Sequence, residues 1–248
     1  MHNNKKVIIS DLDGTLAESK SLIPLEMANV ICSLLAKHFF AVVSGGALSQ
    51  FKKQFLSQLH CEDEQLQNLY LFPTNGSACY VYKNGDWQEL YNEMLSLEDR
   101  SSIISALSEA IKETGLDLSN PYGEIIEDRG SQVTFSGRGQ EAPPDVKKAW
   151  DPDGIKRKSI VDIIKNQIPQ FEIRVNSGSS IDITKKGIDK AYAIGRIKEI
   201  LNVADDDVIF VGDALYKGGN DFPVKKTDVD YIQESGPDQT IEFLKQYI

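Results

Sequence analysis

The chain has 248 residues, with 27 lysines and arginines against 37 aspartates and glutamates, for a formal net charge of -10. Its hydrophobic fraction of 41% and charged fraction of 26% are ordinary for a folded protein, and at about 150 residues per domain the length predicts one large domain or two modest ones. The acidic balance, without basic runs to neutralise phosphates, excludes a duplex nucleic-acid binder, while Lys37 and His38 break the apolar stretch from Val30 to Val43 and exclude a membrane span there.

In chain order, Val7-Ile8-Ile9 reads as a buried strand. Pro24 then stands in the first turn of a helix carrying Val30, Ile31, Leu34 and Leu35 at helical spacing. Residues 39–43 form a second strand, 48–59 a second helix and 69–72 a third strand. Strands alternating with helices predict a parallel sheet covered on both faces. The pattern returns with a helix over 188–201, a strand over 208–211 and a terminal helix over 237–247.

The middle of the chain differs. Asn84-Gly85 between Tyr80-Val81-Tyr82 and residues 87–91 is a hairpin signal. A helix follows, with Ile103, Ile104, Leu107, Ala110 and Ile111 on one stripe, then strands over 124–127 and 132–136. Residues 141–153 read as a surface loop; a helix carrying Ile160, Val161, Ile164 and Ile168 precedes strands over 171–175 and 180–184. Alternation within these strands predicts one sheet with helices on one face and an open polar face carrying Gln132, Thr134, Ser136 and Asp182. The fold is therefore read as α/β, a Rossmann-like core over 1–82 and 185–248, with an α+β module inserted at 83–184. Cys32, Cys61 and Cys79 form no CxxC and no zinc spacing, so they are read as reduced thiols of a cytoplasmic protein without a leader peptide.

Chemistry concentrates in the run from Val7 to Leu16, where Asp11 and Asp13 follow the first strand. Open α/β sheets bind ligands at the carboxyl ends of their strands. Clustered carboxylates there repel unless a divalent cation joins them, and a hard oxygen site suits Mg2+. One carboxylate is then placed to attack phosphorus and form an aspartyl-phosphate.

The run Asp11-Leu12-Asp13-Gly14-Thr15 resembles the first motif of the haloacid dehalogenase (HAD) superfamily. Three further stretches resemble the remaining motifs, in order: Ser44-Gly45-Gly46 after the second strand, Lys190 within Gly187-Ile188-Asp189-Lys190, and Gly212-Asp213 through Gly218-Gly219-Asn220-Asp221. An insert between the second and third motifs is where the C2-type cap of subfamily IIB belongs, and within that subfamily the chain is similar to eukaryotic-type phosphomannomutases. The resemblance implies Asp11 as nucleophile, Asp13 as acid and base, and Lys190 as the charge that steadies both nucleophile and phosphoryl group. It implies Ser44 and Gly45 as phosphate-binding, Asp11, Asp13 (by its carbonyl) and Asp213 as Mg2+ ligands, and Asn220 and Asp221 as their supports. In the cap it implies substrate contacts from Arg129, Arg138, Ser180 and Asp182. One departure stands out: the mutases carry a further arginine where residues 139–148 here offer only Lys147 and Lys148, and lysine cannot copy arginine's bidentate grip on phosphate.

These features lead to an expected hydrolysis of a sugar phosphate by an HAD phosphatase. The alternatives are a phosphomannomutase, in which another sugar hydroxyl replaces water, and a non-catalytic sugar-phosphate-binding protein. The expected partner is a small phosphorylated sugar, with no nucleic acid or membrane; cap-to-cap packing leaves room for a homodimer. His2, His38 and His60 are scattered, Trp87 and Trp150 read as packing residues, and Lys52 and Lys53 read as a solvated helix face.

Overall fold

The computed structural model describes residues 5–176 and 178–248; His2 lies outside them. The chain divides into two units, one comprising residues up to Asn92 together with Asp189–Ile248, the other Glu93–Ile188. The first unit opens with β1 (Val7–Ser10), α1 (Leu25–Leu35), β2 (Phe39–Val43), α2 (Leu48–Gln54), α3 (Asp63–Leu66), β3 (Leu69–Phe72), β4 (Ala78–Lys83) and β5 (Asp86–Asn92). The second unit contains α4 (Leu97–Thr114), β6 (Ile126–Asp128), β7 (Gln132–Ser136), α5 (Pro144–Trp150), α6 (Ile155–Gln167), β8 (Phe171–Val175) and β9 (Ser180–Lys185). The chain then completes the first unit with α7 (Lys190–Leu201), β10 (Val208–Gly212), β11 (Asp230–Gln233) and α8 (Pro237–Leu244).

The first unit's sheet runs β11-β10-β1-β2-β3-β4-β5. From β11 to β3 the pairs are parallel, and β4 and β5 are antiparallel additions. Its central strands are apolar at nearly every position because both faces are covered, Ser10 at the end of β1 being the exception. Ile8, Phe40, Val42, Ile209 and Val211 pack with α1 and α8 on one face, and Val7, Ile9, Ala41, Val43 and Phe210 pack with Ala193, Ile194 and Ile197 of α7 on the other. Each such valine, isoleucine or phenylalanine side chain contributes about 1.5–3 kcal/mol when fully buried. Register sets the site: Ser10 lies opposite both Val42 and Val211, so β1, β2 and β10 end nearly level.

The second unit is an antiparallel sheet, β6-β7-β9-β8. Val133, Phe135, Ile181 and Ile183 pack against Ile103, Leu107 and Ala110 of α4 and against Ile160 and Ile164 of α6. The Ser96 hydroxyl accepts from the Asp99 N–H at 3.0 Å to start α4, and Gly115, at φ 60°, ends it.

Several expectations are corrected. The hairpin assigned to the insert from residue 83 onward extends the large sheet instead, because β4 pairs with β3 (Tyr70 with Val81, Leu71 with Tyr80) and carries β5 with it; the units divide at 92/93 and 188/189. The expected loop over 141–153 contains α5, anchored by the buried Trp150. Between α5 and α6 the buried Asp151 pairs with Arg157 at 2.6 Å and accepts from the Lys156 and Arg157 N–H groups. The polar sheet face is not open: Gln132, Thr134, Ser136 and Asp182 are buried and hydrogen-bonded. The helix read over 48–59 ends at Gln54, and β11, mostly exposed, escaped the pattern altogether. Cys32 and Cys61 are not free thiols but form a disulfide, with Cα atoms 5.1 Å apart, while Cys79 stays free and buried.

Candidate active site

Each central strand hands one chemical group to the level edge of the sheet. Asp11 follows β1, Ser44 follows β2, and Asp213 follows β10. The Asp11 N–H donates to the Val211 carbonyl at 3.0 Å, which continues the ladder one residue past the strand. Lys190 is the first residue of α7, whose start is capped by Asp189 accepting from the Tyr192 N–H at 3.0 Å.

These residues converge. Lys190, 1% exposed, places its ammonium 2.7 Å from Asp11 Oδ1 and also pairs with Asp221 Oδ1. Asp11, Asp213 and Asp221 each offer a carboxylate oxygen, all within 4.8 Å of one another. Asp221 Oδ2 accepts from the Ala214 N–H at 2.9 Å, and Asp11 Oδ1 from the Leu12 N–H at 2.7 Å. Two glycines make room. A Cβ on Gly14, whose φ is 88°, would lie 2.6 Å from Asp213 Oδ2, and one on Gly212 would lie 2.4 Å from Asp221 Oδ2. Asp221, expected only as a support, is thus a full member of the acidic trio.

Charge arithmetic tests whether the trio suits a cation. Three carboxylates against one ammonium leave two uncompensated negative charges in a buried site, which one divalent ion balances. Asp11 Oδ2 is, moreover, a buried oxygen with no hydrogen-bond partner, a state costly to leave uncompensated. Burial pushes the Asp11 carboxyl up to about 8; Asp221 and Asp213 reinforce this and Lys190 opposes it. Burial, with repulsion from Asp221, raises Asp213 as well. Lys190 is raised despite its burial, because Asp11 and Asp221 face it. Hard oxygen donors of this number fit a divalent metal of the Mg2+ class.

Of the other expected residues, Asp13 is not in the trio. Its carboxylate accepts from the Lys20 N–H and from the side chains of Gln50 and Gln54, two residues the sequence reading missed. Their only sequence signal was an i, i+4 spacing just after Ser44-Gly45-Gly46. The Ser44 hydroxyl accepts from the Gly46 N–H at 3.2 Å; Gly45 lies between them, and Asn220 precedes Asp221 in its loop. In the second unit, Thr134 pairs with Asp182 and Ser136 with Ser180, so both β9 residues share a face with β7. Asp182 accepts from Thr134 Oγ1 at 2.9 Å and Asn176 Nδ2 at 2.7 Å. Arg129 is paired with Glu127 at 2.6 Å, and Arg138 reaches the Ser119 carbonyl at 3.3 Å. His38 spans the carbonyls of Lys5 and Tyr247, outside this cluster of side chains.

A family model described as eukaryotic phosphomannomutase matches residues 27–248. The phosphomannomutase of Encephalitozoon cuniculi is 29% identical over 261 residues, covering 98% of this chain and 94% of that protein. The phosphomannomutase of Saccharomyces cerevisiae is 23% identical over 256 residues, covering 97% and 93%. Among solved structures, a haloacid dehalogenase-like hydrolase from Bacteroides thetaiotaomicron superposes with a TM-score of 0.67 at 16% identity, covering 98% of this chain and all of that one. An IMP-nucleotidase from Plasmodium falciparum gives 0.72 at 18% identity, covering 98% and 61%. Among the described residues no helix is long and apolar enough to cross a membrane.

Proposed function

The chain belongs to the eukaryotic phosphomannomutase family of HAD phosphotransferases, and from that premise we propose that it interconverts hexose 1- and 6-phosphates, mannose phosphates in the first instance, through an aspartyl-phosphate on Asp11. The observation that carries the reading is the buried meeting of Asp11, Asp213 and Asp221 around Lys190.

Asp11 attacks the phosphorus of a bound phosphomonoester; its O–P bond forms as the bond from phosphorus to the sugar oxygen breaks. Asp13 gives that oxygen a proton, and later takes one from the hydroxyl that attacks the phospho-enzyme. Lys190 holds Asp11 in place and offsets charge on the transferring group, where most phosphoryl-transfer catalysis resides. Ser44 and Gly45 are assigned to the phosphoryl oxygens. Asp11 and Asp213, with Asp221 beside them and the Asp13 carbonyl, would hold Mg2+. When bound, that ion supplies Lewis-acid charge compensation. The second unit is assigned the role of specificity cap, and Arg129, Arg138, Ser180 and Asp182 are assigned to recognition of the sugar and its distal phosphate. A cytoplasmic location belongs to the same proposal on the family alone, since the Cys32–Cys61 bridge removes the thiol argument for it.

Hydrolysis, the outcome expected from the sequence, is the second reading, and one observation favours it. Within residues 139–148, the stretch in which the mutases have a further arginine, Lys147 is buried and donates to the Gln140 carbonyl at 2.8 Å. The non-catalytic alternative has no comparable support, because the sequence retains Asp11, Asp13, Lys190 and Asp213. The deciding measurement supplies mannose 1-phosphate, Mg2+ and a hexose bisphosphate to prime Asp11, and follows mannose 6-phosphate and inorganic phosphate together. Isomerisation outrunning phosphate release supports the mutase; phosphate release without isomerisation returns the chain to the phosphatases.

A further inference from the structure

Asp13 is held more firmly than any exposed turn would require. Its Oδ1 accepts from the Lys20 N–H at 2.6 Å and from Gln54 Nε2 at 2.9 Å, and its Oδ2 accepts from Gln50 Nε2 at 3.1 Å. Gln50 Nε2 also donates to Gln54 Oε1 at 2.9 Å, so the two carboxamides lock each other. Their orientation follows from donor inventory: flipping either amide would set its oxygen against a carboxylate. Three further features serve the arrangement. Gln50 and Gln54 lie one turn apart on α2, and Gln54 is buried. Gly46 leaves space for Gln50, because a Cβ there would stand 2.5 Å from Gln50 Oε1. Lys20, a non-glycine residue, adopts φ 59° while presenting its N–H, backbone strain of the kind that persists where surrounding structure enforces it.

We propose that Gln50 and Gln54 are positioning residues: a carboxamide clamp that fixes the Asp13 carboxyl for proton exchange with the sugar oxygen. The proposal rests on the phosphoryl-transfer reading above, in which Asp13 donates a proton to the departing oxygen and Asp11 takes the phosphoryl group. Held from three sides, the carboxyl cannot swing out of alignment with the oxygen it protonates, and proton transfer is sensitive to misplacement of this kind. The clamp matters only when the leaving oxygen needs a proton. A sugar alkoxide does; a nitrophenolate leaves readily without one.

That difference gives a test which a merely structural role would not pass. Gln50→Leu and Gln54→Leu are compared with the wild type in Mg2+ buffer on a hexose phosphate and on p-nitrophenyl phosphate. The measured quantity is kcat/KM for release of inorganic phosphate, without a bisphosphate activator, which reports events through phosphorylation of Asp11. General acid catalysis contributes roughly 100- to 10,000-fold, so loss of alignment should lower kcat/KM for the hexose phosphate by about tenfold or more and that for the aryl ester by less than about threefold. Gln50 is only half-buried and provides the readable variant if Gln54→Leu folds poorly. Equal losses on both substrates, or none on either, overturn the clamp. Hydroxylamine-labile labelling of Asp11 separates the two levels: a wild type that forms no acyl phosphate overturns the phosphoryl-transfer reading and the clamp with it. A labelled wild type whose variants keep the same substrate ratio overturns the clamp alone.

Discussion

At Asp11 the carboxylate proposed as nucleophile, a role that requires it ionised, is buried where its charge is costly. Its carboxyl, pushed up to about 8 by burial, binds a proton in the folded state that the unfolded chain has already released above its ordinary value of 3.8. Between those values the native state holds the extra proton, so stability of the metal-free protein should fall as pH rises from about 4 to about 8 and then level off. The raised Asp213 acts in the same direction. A divalent ion removes the penalty. The thermal shift on adding Mg2+ to chelator-treated protein should therefore grow from pH 5 to pH 8 and be largely lost in Asp11→Asn, which should also lack turnover while remaining folded. A shift of constant size across that range would contradict the assignment of the trio as the ion's seat. The meeting of Asp11 with Asp213 and Lys190 was legible because Asp11-Leu12-Asp13-Gly14-Thr15 concentrates its carboxylates in five consecutive residues. Gln50 and Gln54 were not, because a glutamine on a helix says nothing until its partner's position in space is known.

At the scale of elements, strand ends were the most readable feature. β1, β2 and β10 announced themselves by unbroken apolar runs, since strands buried on both faces have no polar alternation to confuse them. The β4–β5 hairpin was recognised as a hairpin and given to the wrong unit: Asn84-Gly85 fixes a turn but not the sheet it joins. The disulfide was invisible for a related reason. Cys32, near the end of α1, and Cys61, just before α3, come together because β2 and β3 are neighbours in the sheet, and their spacing of 29 residues carries no such information. A crosslink closing a loop of that size is worth roughly 3–4 kcal/mol in the chain-entropy account. Cys32→Ser should lower the urea midpoint accordingly while leaving turnover per folded molecule unchanged; the bridge touches none of the residues around Lys190. An unchanged midpoint would show that the two thiols are not joined in solution.

At the scale of the whole molecule, the two units own separate interiors. The clusters built on β1, β2 and β10 draw only on residues before Glu93 or after Ile188, whereas the cluster under α4 and α6 draws only on residues between Leu95 and Ile183. Cooperative unfolding requires shared burial, so a chain with separate cores is expected to depart from two-state behaviour. Two perturbations should then act on different parts of the transition. The acidic side chains proposed to hold Mg2+ all belong to the first unit, so the ion should raise only the portion belonging to it. Asp151→Ala leaves the buried Arg157 without its carboxylate and the Lys156 and Arg157 N–H groups at the start of α6 without their acceptor, a loss of about 3–5 kcal/mol for a broken buried pair. It should lower only the other portion. Calorimetry should accordingly give a van't Hoff enthalpy below the calorimetric one, with the gap widening in Asp151→Ala. A single sharp transition moved bodily by both perturbations would mean that the units fold as one, despite sharing no core residue.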